Sequence, residues 1–279
     1  MPWVLSNQKE QARLEREFSR LRIPYDSPGF CDHPAFLAAE RDDARFLELY
    51  AKYIEVRRYE ESYLSDAAIK IRLAANALEV AIGDDGRLGA CVDASAMLGR
   101  MLDRLGVWNY VAKSTLTITF PKNSGRTPRY FWSFDEGEFA APHAIVVAPP
   151  FGVVDITVRH QAYDANQGDY LPRVVTADSW NEVNWEAKDL ANPEILATLE
   201  MRGISFRDFL RHRNPSMAEV MKHLPPRQIS HEDTKLKYVV VAVGGAIEPL
   251  EGVVGYKPCG RTALEIFEQD VKPKLGAQR

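Results

Sequence analysis

Cys91, His143 and Asp155 are the residues of this chain whose types, order and settings suit one defined chemistry. Cys91 sits in Gly89-Ala90-Cys91-Val92-Asp93, directly ahead of apolar residues at helical spacing. His143 opens the apolar run 143–148, and Asp155 lies inside Val153-Val154-Asp155-Ile156. A cysteine at a helix start, a histidine on a strand and an aspartate on the next strand make a candidate Cys-His-Asp triad. A cysteine attacks as thiolate, and its free pKa of about 8.5 leaves only a few per cent ionised at neutral pH. The helix N-terminus offers unpaired N–H groups and a positive dipole end to Cys91. A neighbouring His143 can keep the proton as imidazolium, and an aspartate on its far nitrogen fixes tautomer and orientation. Gly89 suits a sharp entry into the helix, and the Cys91 N–H is then an oxyanion donor.

The elements that must position these groups are legible by period. Ala94, Met97, Leu98, Met101, Leu102 and Leu105 form one stripe, which predicts a helix over 92–105 with Gly106 at its C-terminal end. Beyond it the period becomes two: Trp108, Tyr110, Ala112 and then Leu116, Ile118, Phe120 predict one or two strands. Residues 130–134 fit a short strand, and 143–148 with 153–158 a hairpin around Pro149-Pro150-Phe151-Gly152.

That hairpin carries a condition. Alternate residues of a strand share a face. With a four-residue loop, 149–152, His143 and Asp155 fall on opposite faces. With a three-residue loop, 148–150, they face each other. The triad therefore requires an odd loop or a bulge.

The first 84 residues read as a helical section. A charged run over 7–22 carries Leu14, Phe18 and Leu21 at helical spacing. A helix capped by Asp32, with Pro34 in its first turn, buries Phe46, Leu49, Tyr50, Tyr53 and Ile54. Another covers roughly 60–82 and is broken by Gly83-Asp84-Asp85-Gly86. After 160 the chain is aperiodic to 190. Short helices follow near 193–201, 205–213 and 216–224, the last opened by a Ser216/Glu219 capping box. A buried strand at 238–243 and a helix at 262–270 complete the reading.

These segments resemble the transglutaminase-like branch of the papain-like cysteine fold. Gly89-Ala90-Cys91-Val92-Asp93, the helix ending in Arg104-Leu105-Gly106-Val107, His143-Ala144 and Val154-Asp155 match that family's Gly-x-Cys-x-Asp, helix end, His-Ala and Asp strands. The likeness covers roughly residues 85–160. It implies an α+β fold with a papain-like core, a Cys-bearing helix packed on an antiparallel β-sheet. Residues 1–84 precede that core as a helical section, and 161–279 complete sheet and cleft. It implies Cys91, His143 and Asp155 as catalytic residues in acyl transfer on amide bonds of a protein or peptide, or to a small amine acceptor. A second likeness, to the arylamine N-acetyltransferases, rests on Arg87-Leu88-Gly89-Ala90-Cys91-Val92-Asp93 and implies acetyl-CoA as donor. A binding protein on the same fold is the third reading.

Composition narrows the partners. With 46% hydrophobic and 27% charged residues the chain falls in the soluble globular class. A net charge of −4 gives no general attraction to nucleic acid or an anionic membrane surface. No run suits a membrane span or signal peptide. Three cysteines in no metal-ligand spacing predict free thiols, a cytoplasmic setting and neither metal nor cofactor. Cys31 and Cys259 read as structural. Asp93 reads as a first-turn carboxylate favourable to the helix dipole. The cluster Tyr130, Phe131, Trp132, Phe134 reads as core or cleft wall. Arg202, Arg207, Arg211, Arg213, Lys222 and Arg227 read as a solvated basic face. Arg159 is the alternative partner for Asp155.

Overall fold

The computed structural model describes residues 3–43, 45–135, 138–139, 142–164, 166–245 and 248–276. Within the stretch 121–142, residues 136, 137, 140 and 141 lie outside the described set. The helices are α1 (Gln8–Arg20), α2 (Pro34–Asp42), α3 (Phe46–Val56), α4 (Glu61–Asp85), α5 (Cys91–Arg104), α6 (Pro193–Met201), α7 (Phe206–Arg213), α8 (Pro215–His223), α9 (Ala263–Ile266) and α10 (Lys272–Gly276). The strands are β1 (Tyr110–Thr119), β2 (Arg129–Phe131), β3 (Phe134–Asp135), β4 (Glu138–Phe139), β5 (His143–Ala148), β6 (Phe151–Asp155), β7 (Val175–Ala177), β8 (Asn181–Glu182), β9 (Arg227–His231) and β10 (Thr234–Gly244).

The fold is α+β, built on a curled antiparallel sheet. Strand order is β7-β6-β5-β1-β10-β9-β8, with β2 added on β1 and a separate β3–β4 pair. Laid flat, the outer strands of that path would stand about 29 Å apart at the usual strand spacing. Yet β7 and β8 are joined only by residues 178–180, a connection that reaches about 14 Å at most. The sheet must therefore curl until its ends approach. Trp180 lies at this seam. It packs on Gly152 so closely that a Cβ there would meet the indole at 2.3 Å. Gly152→Ala should therefore cost about 1–3 kcal/mol, read as a fall in the denaturant midpoint, because the ring or the strand must move.

Both sheet faces are covered, which explains why β5 and the middle of β10 are apolar without alternation. One face (Tyr110, Ala112, Ile145, Val147, Tyr238, Val240) packs with the aromatic residues of α1–α3. On the other, Val111, Ala144, Val146 and Val154 meet α4 and α5, while Val239 and Val241 meet α7 and α8. β10, from the C-terminal third, lies beside β1 at the middle of the sheet, so the sheet draws on both sides of the 85–160 segment.

The α5 stripe behaves as its spacing requires, with Ala94, Met97, Leu98, Met101 and Leu102 all buried. Its end is a Schellman motif: Gly106, at φ +71°, donates its N–H to Asp103 and Val107 donates to Leu102.

Several expectations need correction. His33, not Asp32, caps the helix at Pro34, and the expected single helix is two, α2 and α3. Within the expected 83–86 break, α4 runs on through Gly83 to Asp85, and Gly86 takes the left-handed turn that ends it. Asn214 caps α8 by accepting from the Met217 N–H, displacing the Ser216/Glu219 box by two residues. The 130–134 segment divides into β2 and β3, and a π turn over Phe267–Val271 interrupts the last helix. β6 ends at Asp155 rather than 158, and the 238–243 strand is the middle of a longer β10 hairpinned to β9.

Candidate active site

Gly89 at φ +74° turns the chain into α5, and Ala90 stands at the N-cap with no side chain to close the helix. Cys91 is the first helical residue, facing the uncapped end. Ser95, one turn on, donates its hydroxyl to the Ala144 carbonyl (3.0 Å), which docks α5 onto β5. The Cys91 thiol consequently lies beside the entry to β5 and points at the Pro142 carbonyl, 3.9 Å away.

The hairpin meets its parity condition through a bulge. The turn holds only Pro149 and Pro150, joined by a cis peptide, and Ala148 pairs with Phe151. That even loop alone would separate His143 from Asp155. Between Val146 and Ala148 the register shifts by one residue on β6, so Val146 pairs with Val154. One step further along this register, Asp155 stands across from Ile145, and His143 becomes its diagonal neighbour on the same face. A diagonal pair is within reach of a ring. The His143 Nε2 lies 2.7 Å from Asp155 Oδ2.

Asp155 is held from all sides. Oδ2 also accepts from the Tyr238 hydroxyl (3.0 Å), while Oδ1 accepts from the Thr157 N–H (2.9 Å) and hydroxyl (3.3 Å). Burial pushes its pKa up, but the His143 charge and these hydrogen bonds outweigh it, and the carboxyl stays below its usual range. Asp155 is therefore an acceptor, and the Nε2–H donates to it. Arg159 takes no part, lying instead 3.8 Å from Asp169.

Burial pulls the His143 pKa down. The Asp155 carboxylate, by charge and by hydrogen bond, and then the nearby Cys91 thiol outweigh burial and raise it. The ring sits between Phe131 and Tyr238, each with its centroid 6.2 Å away. The second nitrogen, Nδ1, is buried and has no hydrogen-bond partner. With Cys91, His143 and Asp155 at 4%, 0% and 1% exposure, bulk water does not screen these interactions. All three sequence candidates are thus brought together.

β1 lies beside the triad. Its residues 110–114 pair with β5 and 116–118 with β2, so the two shorter strands abut along one edge, with Ser114 opposite His143. The hydroxyl of Ser114, on the His143 face, and that of Thr115, on the opposite face, are buried without hydrogen-bond partners. Tyr130 on β2 and Trp132 just beyond it stack at 5.5 Å. Phe134 is buried in the core that Leu210, Met217, Val239 and Val241 form. Asp93 pairs with Arg87 at 3.3 Å on the surface. Cys31 is half-buried and its thiol pKa is pushed far up, largely by desolvation; Cys259 is exposed.

Sequence reasoning missed Tyr238 and Thr157. Thr157 had a local signal, since an Asp followed two residues later by an N–H donor is an Asx turn. Tyr238 had only a weak one: a tyrosine in a buried strand must find a partner for its hydroxyl. Tyr238→Phe should lower Cys91 alkylation at neutral pH by about fivefold and stability by about 1–2 kcal/mol. An unchanged rate beside lowered stability would make the hydroxyl structural only.

The chain matches no family model, no curated protein and no solved structure. Among the described residues no cluster of three or more His, Cys, Asp or Glu could hold a metal ion, and no helix is long and apolar enough to cross a membrane.

Proposed function

We propose that this protein is a cysteine-dependent acyl-transfer enzyme acting on amide bonds through a Cys91-His143-Asp155 triad, on a papain-like core of the transglutaminase-like type. The observation that carries the reading is the buried His143–Asp155 pair, with the imidazole's free Nδ1 beside a thiol at an uncapped helix start. The Cys91 thiolate attacks the amide carbonyl, and the oxyanion forms against the Cys91 N–H. His143 gives its proton to the departing amine, then takes one from the acceptor, water or an amine, as that acceptor attacks the thioacyl-enzyme. Asp155 keeps the imidazole oriented and charged. The unpartnered hydroxyl of Ser114, opposite His143, supplies a polar group that a bound peptide amide would satisfy.

Iodoacetamide tests the reading without a known substrate. At pH 7, Cys91 should be carboxamidomethylated faster than the exposed Cys259, and Cys31 should stay unmodified. His143→Ala should abolish the preference. Cys91 reacting no faster than Cys259 in the wild type would sink the triad. Incubation with acetyl-CoA separates the donors, since a stable acetyl thioester on Cys91 would favour the acetyltransferase chemistry over amide cleavage.

A further inference from the structure

A second histidine–carboxylate pair lies outside the triad. Glu79, on α4 and nearly buried, accepts from Arg173 through both oxygens: Nε to Oε1 at 3.0 Å and a terminal nitrogen to Oε2 at 2.8 Å. The His160 Nε2 also lies 3.1 Å from Oε1. The ring rests on Gly83, one turn along α4, where a Cβ would touch it at 3.4 Å. Arg173 alone would neutralise Glu79, because a two-point guanidinium contact satisfies a buried carboxylate. The contact with His160 is therefore additional to charge balance.

His160 stands between the two halves of the triad. Its carbonyl accepts the Gly89 N–H at 2.9 Å, two residues before Cys91, and that is where α5 lacks a side-chain cap. Its own N–H donates to the Thr157 carbonyl at 2.9 Å, closing a turn whose first residue is the one bonded to Asp155. A continuous path thus runs from Cys91 through Gly89, His160 and Thr157 to Asp155. The ring on Glu79 is the path's anchor to α4.

We infer that His160 and Glu79 are positioning residues: their contact fixes the turn that sets the Cys91 thiol against the His143 ring. This rests on the acyl-transfer reading of Cys91, and deepens it. Releasing the ring lets the His160 carbonyl drift from Gly89, and the helix start drifts with it. Proton transfer between thiol and imidazole needs direct contact or one bridging water, so a shift of about 1 Å costs rate steeply.

The experiment measures Cys91 alkylation by iodoacetamide from pH 5 to 9 in the full-length protein, with thermal midpoints alongside. His160→Ala and Glu79→Gln should each lower the neutral-pH rate by about tenfold, with the remaining reactivity rising only as an ordinary thiol ionises. His160→Gln, which keeps a donor for Glu79, should stay within about threefold of wild type. Arg173→Met removes the other partner of Glu79 and should lower the thermal midpoint while leaving the rate within about twofold. Alkylation of His160→Ala at the wild-type rate, or rates that follow the thermal midpoint across all four variants, would overturn the inference. An unreactive wild-type Cys91 would instead overturn the triad itself. Should His160→Ala fail to fold, the contrast between His160→Gln and Arg173→Met still decides.

Discussion

Asp155→Asn is expected to lower the reactivity of Cys91 at neutral pH by about 10³-fold. The carboxylate does two things that an amide cannot. Its charge sustains the imidazolium inside a buried site, and as a pure acceptor it keeps the hydrogen on Nε2. An asparagine can present its NH₂ to Nε2 instead, which drives the hydrogen to Nδ1 and turns a donor toward the thiol. Stability should change with a defined pH signature. His143 is raised in the fold, so its contribution is complete below its ordinary value of 6.5 and fades as pH rises through the folded value. Asp155 is lowered, so its contribution is complete above 3.8 and fades as pH falls through its folded value. The pair therefore stabilises fully between 3.8 and 6.5. Urea midpoints from pH 3 to 10 should show wild type losing stability on both sides of that window and Asp155→Asn showing a flatter curve. Equal alkylation rates for variant and wild type would remove Asp155 from the mechanism.

What the sequence revealed follows the range of the interactions involved. The α5 stripe and the glycine that ends it are local patterns, and the structure forms them as spaced. The hairpin parity was legible as a condition, but its solution was not. A bulge at Gly152 answers to Trp180, 28 positions along, and nothing within residues 143–158 reports it. Tyr238 reaches Asp155 from a strand two places beyond β5, a contact fixed by sheet order rather than spacing. Gly83 reads as the first residue of a helix-breaking run, 83–86; in the fold it is a flat seat for His160 inside the helix, and the packing tolerates the weak helix former. The basic series from Arg202 to Arg227 fails at its last member for the same reason. Arg207 lies over Trp185 and Arg211 pairs with Asp208, as surface residues do. Arg227 opens β9 and is buried, because its partner Glu55 comes from the N-terminal helices.

Glu55→Gln is accordingly expected to destabilise the protein by about 3–5 kcal/mol, since it leaves the Arg227 charge buried without a counterion. Glu55 lies in the last turn of α3 and is nearly sealed from solvent; its carboxylate binds Arg227 and accepts from the Tyr110 hydroxyl at 2.7 Å. Arg227 also donates to the Gly152 carbonyl, and its guanidinium lies 4.9 Å from the Trp180 ring. One cation thus joins the helical section, the bulged strand and the seam of the curled sheet. Removing either partner strands the other, whereas replacing both by apolar residues removes the unpaired charge. Glu55→Met with Arg227→Met should consequently recover most of the stability that either single change loses, a coupling of more than about 2 kcal/mol in a double-mutant cycle. At this chain length the single variants should melt roughly 10 °C lower. Additive single and double effects would mean that the pair contributes by packing and not by charge. The cycle also probes the site, because Gly152 belongs to the bulge that brings Asp155 to the His143 face. If the bulge depends on Arg227, alkylation of Cys91 falls in Arg227→Met at temperatures where the protein is still folded. If Trp180 alone holds it, the rate is unchanged while the melting point drops.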